Sequence, residues 1–133
     1  MKVIVDTSVW SLFLRRHEPA ESGSLEVLRR AIKDNNVQML GIVRQELLSG
    51  IRSPSQFKKI GEILKSFPDL LAVADDHTQA AVFFNQCRRK GVQGSPVDFL
   101  ICAQAHRHRM AILTDDADFS GYAAHLPINL LKP

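Results

Sequence analysis

Carboxylates stand at the ends of apolar runs in this 133-residue chain. Asp6 directly follows Val3-Ile4-Val5, and Glu46 lies in the segment after Val37-Gln38-Met39-Leu40. Asp98 falls in the first turn after Ser95-Pro96, and Thr114-Asp115-Asp116-Ala117-Asp118-Phe119 continues from Ala111-Ile112-Leu113. Each acid has an ordinary explanation. Asp6 caps the helix that follows; Ser95-x-x-Asp98 fits a capping box with Pro96 at the first helical position; Asp115, Asp116 and Asp118 are turn residues or the cap of a short helix. Glu46 resists this treatment, because Val43, Leu47 and Ile51 flank it on an apolar face, where a carboxylate is rarely buried without a partner; a register turned slightly toward solvent would also account for it.

Taken together the acids read differently. Two carboxylates about 4–5 Å apart repel by roughly 3–4 kcal/mol at an effective dielectric near 20. Several gathered at one place are tolerable only with a cation among them or with some protonated. Hard oxygen donors without a matching His or Cys favour Mg²⁺ or Mn²⁺ over zinc. Such an ion activates water and steadies charge on a phosphoryl oxygen.

An α/β fold would gather these acids. The spacing predicts strands at Lys2–Val5, Val37–Leu40, Leu70–Val73, Ala111–Thr114 and Ile128–Leu131. Between them it predicts helices over Val9–Leu14, Ser24–Asp34, Ile42–Ile51, Phe57–Phe67, Thr78–Lys90 and Ser95–Arg109. Short strands alternating with helices indicate one α/β/α domain over residues 1–133, around a central, mostly parallel sheet of four to five strands. In such sheets ligands bind beyond the carboxyl ends of the strands, where these acids fall.

Composition excludes other classes. Hydrophobic residues make up 45% and charged residues 23%, which is the balance of a globular domain and not of a disordered chain. No stretch approaches the ~20 apolar residues of a membrane span, and Asp6 interrupts the start where a signal peptide would still be apolar, so a cytoplasmic location is expected. Cys87 and Cys102 lack CxxC spacing and read as small core residues in a reducing compartment. The net charge of +3 is a mild lean toward polyanions. Cationic clusters such as Arg15-Arg16 and Arg88-Arg89-Lys90 suit a phosphodiester backbone, although most such charges are solvated helix faces. Arg44, close to Glu46, is the candidate substrate contact. The five histidines, His17 among them, show no ligand spacing.

The set of motifs, in this order, resembles the PIN-domain family, and within it the VapC-type ribonuclease toxins. The opening Val3-Ile4-Val5-Asp6-Thr7-Ser8-Val9-Trp10 is similar to the family's strand-plus-Asp start. Glu46-Leu47-Leu48-Ser49-Gly50 is similar to its second acidic motif, Asp98-Phe99-Leu100-Ile101-Cys102-Ala103 to its third, and Thr114–Phe119 to its T-x-D-x-D-F fourth. The departures are Cys102 in place of a small Ala, and Gly41-Ile42-Val43 where polar residues often precede the Glu. The resemblance implies a Mg²⁺- or Mn²⁺-dependent endoribonuclease with Asp6, Glu46, Asp98 and Asp116 as catalytic acids. It further implies Asp6, Asp98, Asp116 and Asp118 around the metal, with Thr7, Ser8 and Thr114 orienting them. A homodimer and a cognate antitoxin are also implied, the latter with candidate apolar surface at Trp10, Phe13, Phe57 and Ile60. The alternative from another class is a non-catalytic nucleic-acid- or protein-binding module on the same fold. A haloacid-dehalogenase-type enzyme would need a second Asp at Ser8, and a receiver domain a Lys after the late strand, where this chain has acids.

Overall fold

A computed structural model describes residues 1–15 and 22–133; Arg16 and His17 lie outside the described residues. The elements run β1 (Val3–Val5), α1 (Thr7–Leu14), α2 (Gly23–Lys33), β2 (Val37–Leu40), α3 (Gly41–Leu48) and α4 (Pro54–Leu64), then β3 (Asp69–Leu70), α5 (Ala74–Arg89), α6 (Pro96–His108), β4 (Ala111–Leu113) and α7 (Asp118–Ala123). The four strands form one parallel sheet in the order β3-β2-β1-β4. Val3, Ile4 and Val5 are all buried. Successive strand residues face opposite sides, so both faces of β1 are covered, as the α/β/α reading requires.

Three helix starts follow from hydroxyl caps. The side chains of Ser22, Ser53 and Ser95 accept from the backbone N–H groups of Leu25, Gln56 and Asp98, with Pro54 and Pro96 opening their helices. Other boundaries depart from the periodicity. α5 begins at Ala74 rather than Thr78, because Asp76 Oδ2 accepts from the Val73 N–H and its polar first turn carries no apolar repeat. That early start shortens the third strand to Asp69–Leu70. The expected last strand is reduced to a single parallel bridge, Ile112 with Leu130. α3 stops at Leu48, and Gly50 takes a left-handed turn at φ 86°.

The core corrects two surface expectations. Trp10 is fully buried, edge-on to Phe13 and Phe67, and Ile60 is buried as well. Aromatic and branched side chains at core-facing helical positions gain more from burial than from waiting for a partner. Phe57 does remain 45% exposed, and Phe13 is half-buried. Cys87 and Cys102 are free and buried, as expected.

Candidate active site

Sheet register brings the first and fourth acidic segments together. β1 pairs with β4 so that Val5 stands against Leu113, and the Asp6 N–H donates to the Leu113 carbonyl at 2.9 Å. Asp6 and Thr114 therefore emerge side by side from neighbouring strands. This is also where the strand order reverses, β2 lying on one side of β1 and β4 on the other. Such a reversal is the usual place for a ligand crevice in an open parallel sheet.

Asp6 is 4% exposed, and its Oδ2 accepts from Ser8 Oγ (2.8 Å), Thr114 Oγ1 (2.8 Å) and the Ser8 N–H (3.4 Å). Among the described residues no donor goes to its Oδ1. The two hydroxyls serve both sides: Ser8 Oγ accepts from the Asp115 N–H (3.0 Å), and Thr114 Oγ1 from the Asp116 N–H (3.0 Å). The hydroxyls that hold Asp6 thus also fix the loop carrying Asp116. That loop is held again where Asp116 Oδ1 accepts from the Asp118 N–H at 2.9 Å, and where the Ser24 hydroxyl donates to Asp115 Oδ1. Asp6 does cap α1, but capping accounts only for its longest contact.

The third segment joins from α6. Carboxylate oxygens of Asp98, Asp116 and Asp118 all lie within 4.8 Å of one another. Burial, first of all, pushes the Asp98 carboxyl above its ordinary value; the charges of Asp6 and Asp116 push the same way, and the Tyr122 hydroxyl opposes them. Ser95 Oγ accepts from the Asp98 N–H as a cap, but the Asp98 side chain does not complete a reciprocal box: its Oδ2 accepts from Tyr122 Oη at 2.6 Å.

Glu46 is exposed: of the two registers its spacing leaves open, α3 takes the one that turns Glu46 toward solvent and Val43 inward. It joins the site through Thr7, whose Oγ1 donates to Glu46 Oε1 at 2.6 Å, directly after Asp6 in the chain. Arg44 is committed elsewhere. Its Nε and Nη2 donate to Asp69 Oδ1 at 3.0 and 2.9 Å, Nη1 to the Leu64 carbonyl at 3.0 Å, and Nη2 also to the Phe67 carbonyl. These bonds tie α3 to the end of α4 and to β3, which occupies the guanidinium assigned to substrate from sequence.

The donor set suits a hard divalent cation. Asp98, Asp116 and Asp118 offer only carboxylate oxygen, and the unengaged Oδ1 of Asp6 adds more of the same. Cys102, one helical turn beyond Asp98, is no competitor: burial above all, and then the Asp98 charge, push its thiol far up, so it stays protonated. Two residues of the site were missed from sequence. Ser24 carries no signal, since its contact crosses 91 residues. Tyr122 is the single tyrosine of the chain, on a helix too short to show a periodic face.

No curated relative matches the chain. Among solved structures it is similar to FitAcB from Neisseria gonorrhoeae, at TM-score 0.76 and 19% identity, covering 98% of this chain and 97% of that one. VapBC2 from Rickettsia felis, bound to a DNA fragment from its promoter, gives TM-score 0.78 at 18% identity over 99% and 98%. VapBC-5 from Mycobacterium tuberculosis, of the VapBC family of toxin-antitoxin systems, gives 0.71 at 16% over 99% and 98%. At these identities the likeness is one of fold. The PIN domain profile itself matches residues 3–124, spanning β1, the acids of all four segments and α7, and the chain belongs to the PIN domain family.

Proposed function

We propose that this PIN domain is a Mg²⁺- or Mn²⁺-dependent endoribonuclease, the toxin of a toxin–antitoxin pair acting in the cytoplasm. The observation that carries this reading is the meeting of Asp98, Asp116 and Asp118 within 4.8 Å, beside the buried Asp6. Carboxylates so placed, with Asp98 already shifted upward by burial and by its neighbours' charge, call for a cation. Asp6, Asp98, Asp116 and Asp118 would hold it. When bound it supplies a polarised water and neutralises charge on the scissile phosphate.

The chain's own residues do the rest. Ser8 and Thr114 fix Asp6 through one oxygen and leave the other free to face the ion. Glu46, exposed and bonded to Thr7, would accept the proton of the attacking water. The exposed Arg88-Arg89-Lys90 run, shortly before the loop that leads into α6, offers charge to a phosphodiester backbone.

The antitoxin assignment is supported by the likeness to VapBC structures, one of them a member of the VapBC family of toxin-antitoxin systems. Phe57 and Ile63 on α4, both more than a third exposed, are apolar side chains available to such a partner. A homodimer is proposed on the family resemblance.

The test is incubation of purified protein with total RNA, with Mn²⁺ and with Mn²⁺ plus chelator, followed by mapping of new ends. New ends that depend on Mn²⁺ are expected. RNA intact in every lane would instead favour the binding-module alternative.

A further inference from the structure

The proposed metal site contains a side chain that none of the acidic motifs includes. Tyr122 is fully buried in α7, its ring packed at 4.9 Å from Phe99 and 5.1 Å from Phe119 between ring centroids. Its hydroxyl donates to Asp98 Oδ2 at 2.6 Å. Phe99 is the residue after Asp98, so the same ring clamps the helical turn that carries the carboxylate and bonds one of its oxygens. The approach of the ring depends on Gly94: a Cβ there would stand 2.5 Å from Tyr122 Oη and 2.7 Å from Cε1 and Cζ. The ring packs against Phe99 and Phe119, and its hydroxyl edge lies close to Gly94.

We infer that Tyr122, seated by Gly94, is a positioning residue that fixes the Asp98 carboxylate for one-oxygen binding of a divalent cation. The inference rests on the metal reading above and adds to it a specific cause for the orientation of Asp98. A carboxylate at the first turn of a helix is otherwise free to rotate about its side-chain torsions. A donor on one oxygen removes that freedom and leaves the second oxygen for the ion, as partners behind metal ligands generally do. A phenol suits the task because it does not compete for the cation as a further carboxylate would, and because its buried ring is rigid.

Tyr122→Phe keeps the ring and removes only the donor. Binding of Mn²⁺ alone, without RNA, is read by the electron paramagnetic resonance of free Mn²⁺ in wild type, Tyr122→Phe, Gly94→Ala and the double variant, with urea midpoints measured alongside. Tyr122→Phe is expected to raise the Mn²⁺ Kd by about 10–100-fold, and Gly94→Ala to raise it in the same direction. The double variant is expected to bind little worse than Tyr122→Phe, since both act through one hydroxyl. Unchanged Mn²⁺ affinity in Tyr122→Phe, with a lowered urea midpoint or without one, makes the hydroxyl a packing detail and overturns the inference while leaving the metal reading intact. Should Tyr122→Phe not fold, Gly94→Ala decides in the same way by its Mn²⁺ affinity. Wild-type protein that binds no Mn²⁺ overturns the metal reading itself, and the inference with it.

Discussion

Asp98 holds conflicting positions: it is half-buried, it faces Asp6 and Asp116, and it accepts a hydrogen bond that favours its charged form. Its carboxyl lies above the ordinary value of 3.8, so without metal the charged form costs stability at neutral pH. The folded state then binds this proton more readily than the unfolded chain does. Metal-free protein should therefore gain stability as pH falls through the raised value toward 3.8, an increment that Asp98→Asn should lack in urea titrations across that range. The same substitution should reduce RNA cleavage to about one hundredth of wild type or less, with a metal-free melting temperature no lower than wild type. A capping role alone would give the reverse, lost stability with retained cleavage. At this scale the sequence was legible where chemistry coincided with a strand end, as for Asp6. At Glu46 it left the buried and solvent-facing registers both open, because α3 is too short for its apolar face to be placed from spacing alone, and the side chain is exposed. Tyr122 and Ser24 were not legible, since their partners stand 24 and 91 residues away.

Among the elements, α5 and α6 matter most for keeping Asp98 in place, and an ion pair between Asp76 and Arg107 links them. Asp76, 1% exposed, accepts from Arg107 Nε at 2.6 Å and Nη2 at 2.9 Å. The hydrogen bond from Arg107 is the first cause holding the Asp76 carboxyl below 3.8, against the opposing effect of burial. A depressed carboxyl contributes stability that is complete above the unfolded value and is lost as pH falls through the folded one. Asp76→Asn should thus lower the urea midpoint at neutral pH, and the gap to wild type should close below pH 3.8. Arg107→Ala, which strands a buried carboxylate, should cost more than Lys65→Ala, which breaks the exposed pair with Glu62. Most of the helices were readable from the 3.6-residue repeat and their Ser-Pro starts. The first turn of α5 was not, because it is built from Ala74, Asp75 and Asp76 and presents no apolar stripe. The last strand failed for the opposite reason: Ile128–Leu131 has the right residue types, but bridges β4 only at Leu130.

For the molecule as a whole, the sheet order is what converts scattered acids into a site. β1 lies between β2 and β4, so the segments that follow all three strands reach the same end of the sheet. Among the described residues no helix is long and apolar enough to cross a membrane. Alternation of strands and helices made this architecture legible from the sequence, but not the register that sets Val5 against Leu113, because several short apolar strands would pair equally well by pattern. If the acids share an ion, an ion at a hundred times its Kd adds about 2.7 kcal/mol of stability. That is on the order of 10 °C in melting temperature for a domain of this size. Mn²⁺ should produce such a rise, a chelator should reverse it, and Asp116→Asn should diminish it.

The most direct measurement is an anomalous difference map from crystals of the protein grown with Mn²⁺. A peak enclosed by Asp6, Asp98, Asp116 and Asp118 is expected, with carboxylate oxygens at about 2 Å. No peak there at saturating Mn²⁺, or one bound only at a site remote from Asp98, would contradict the metal reading.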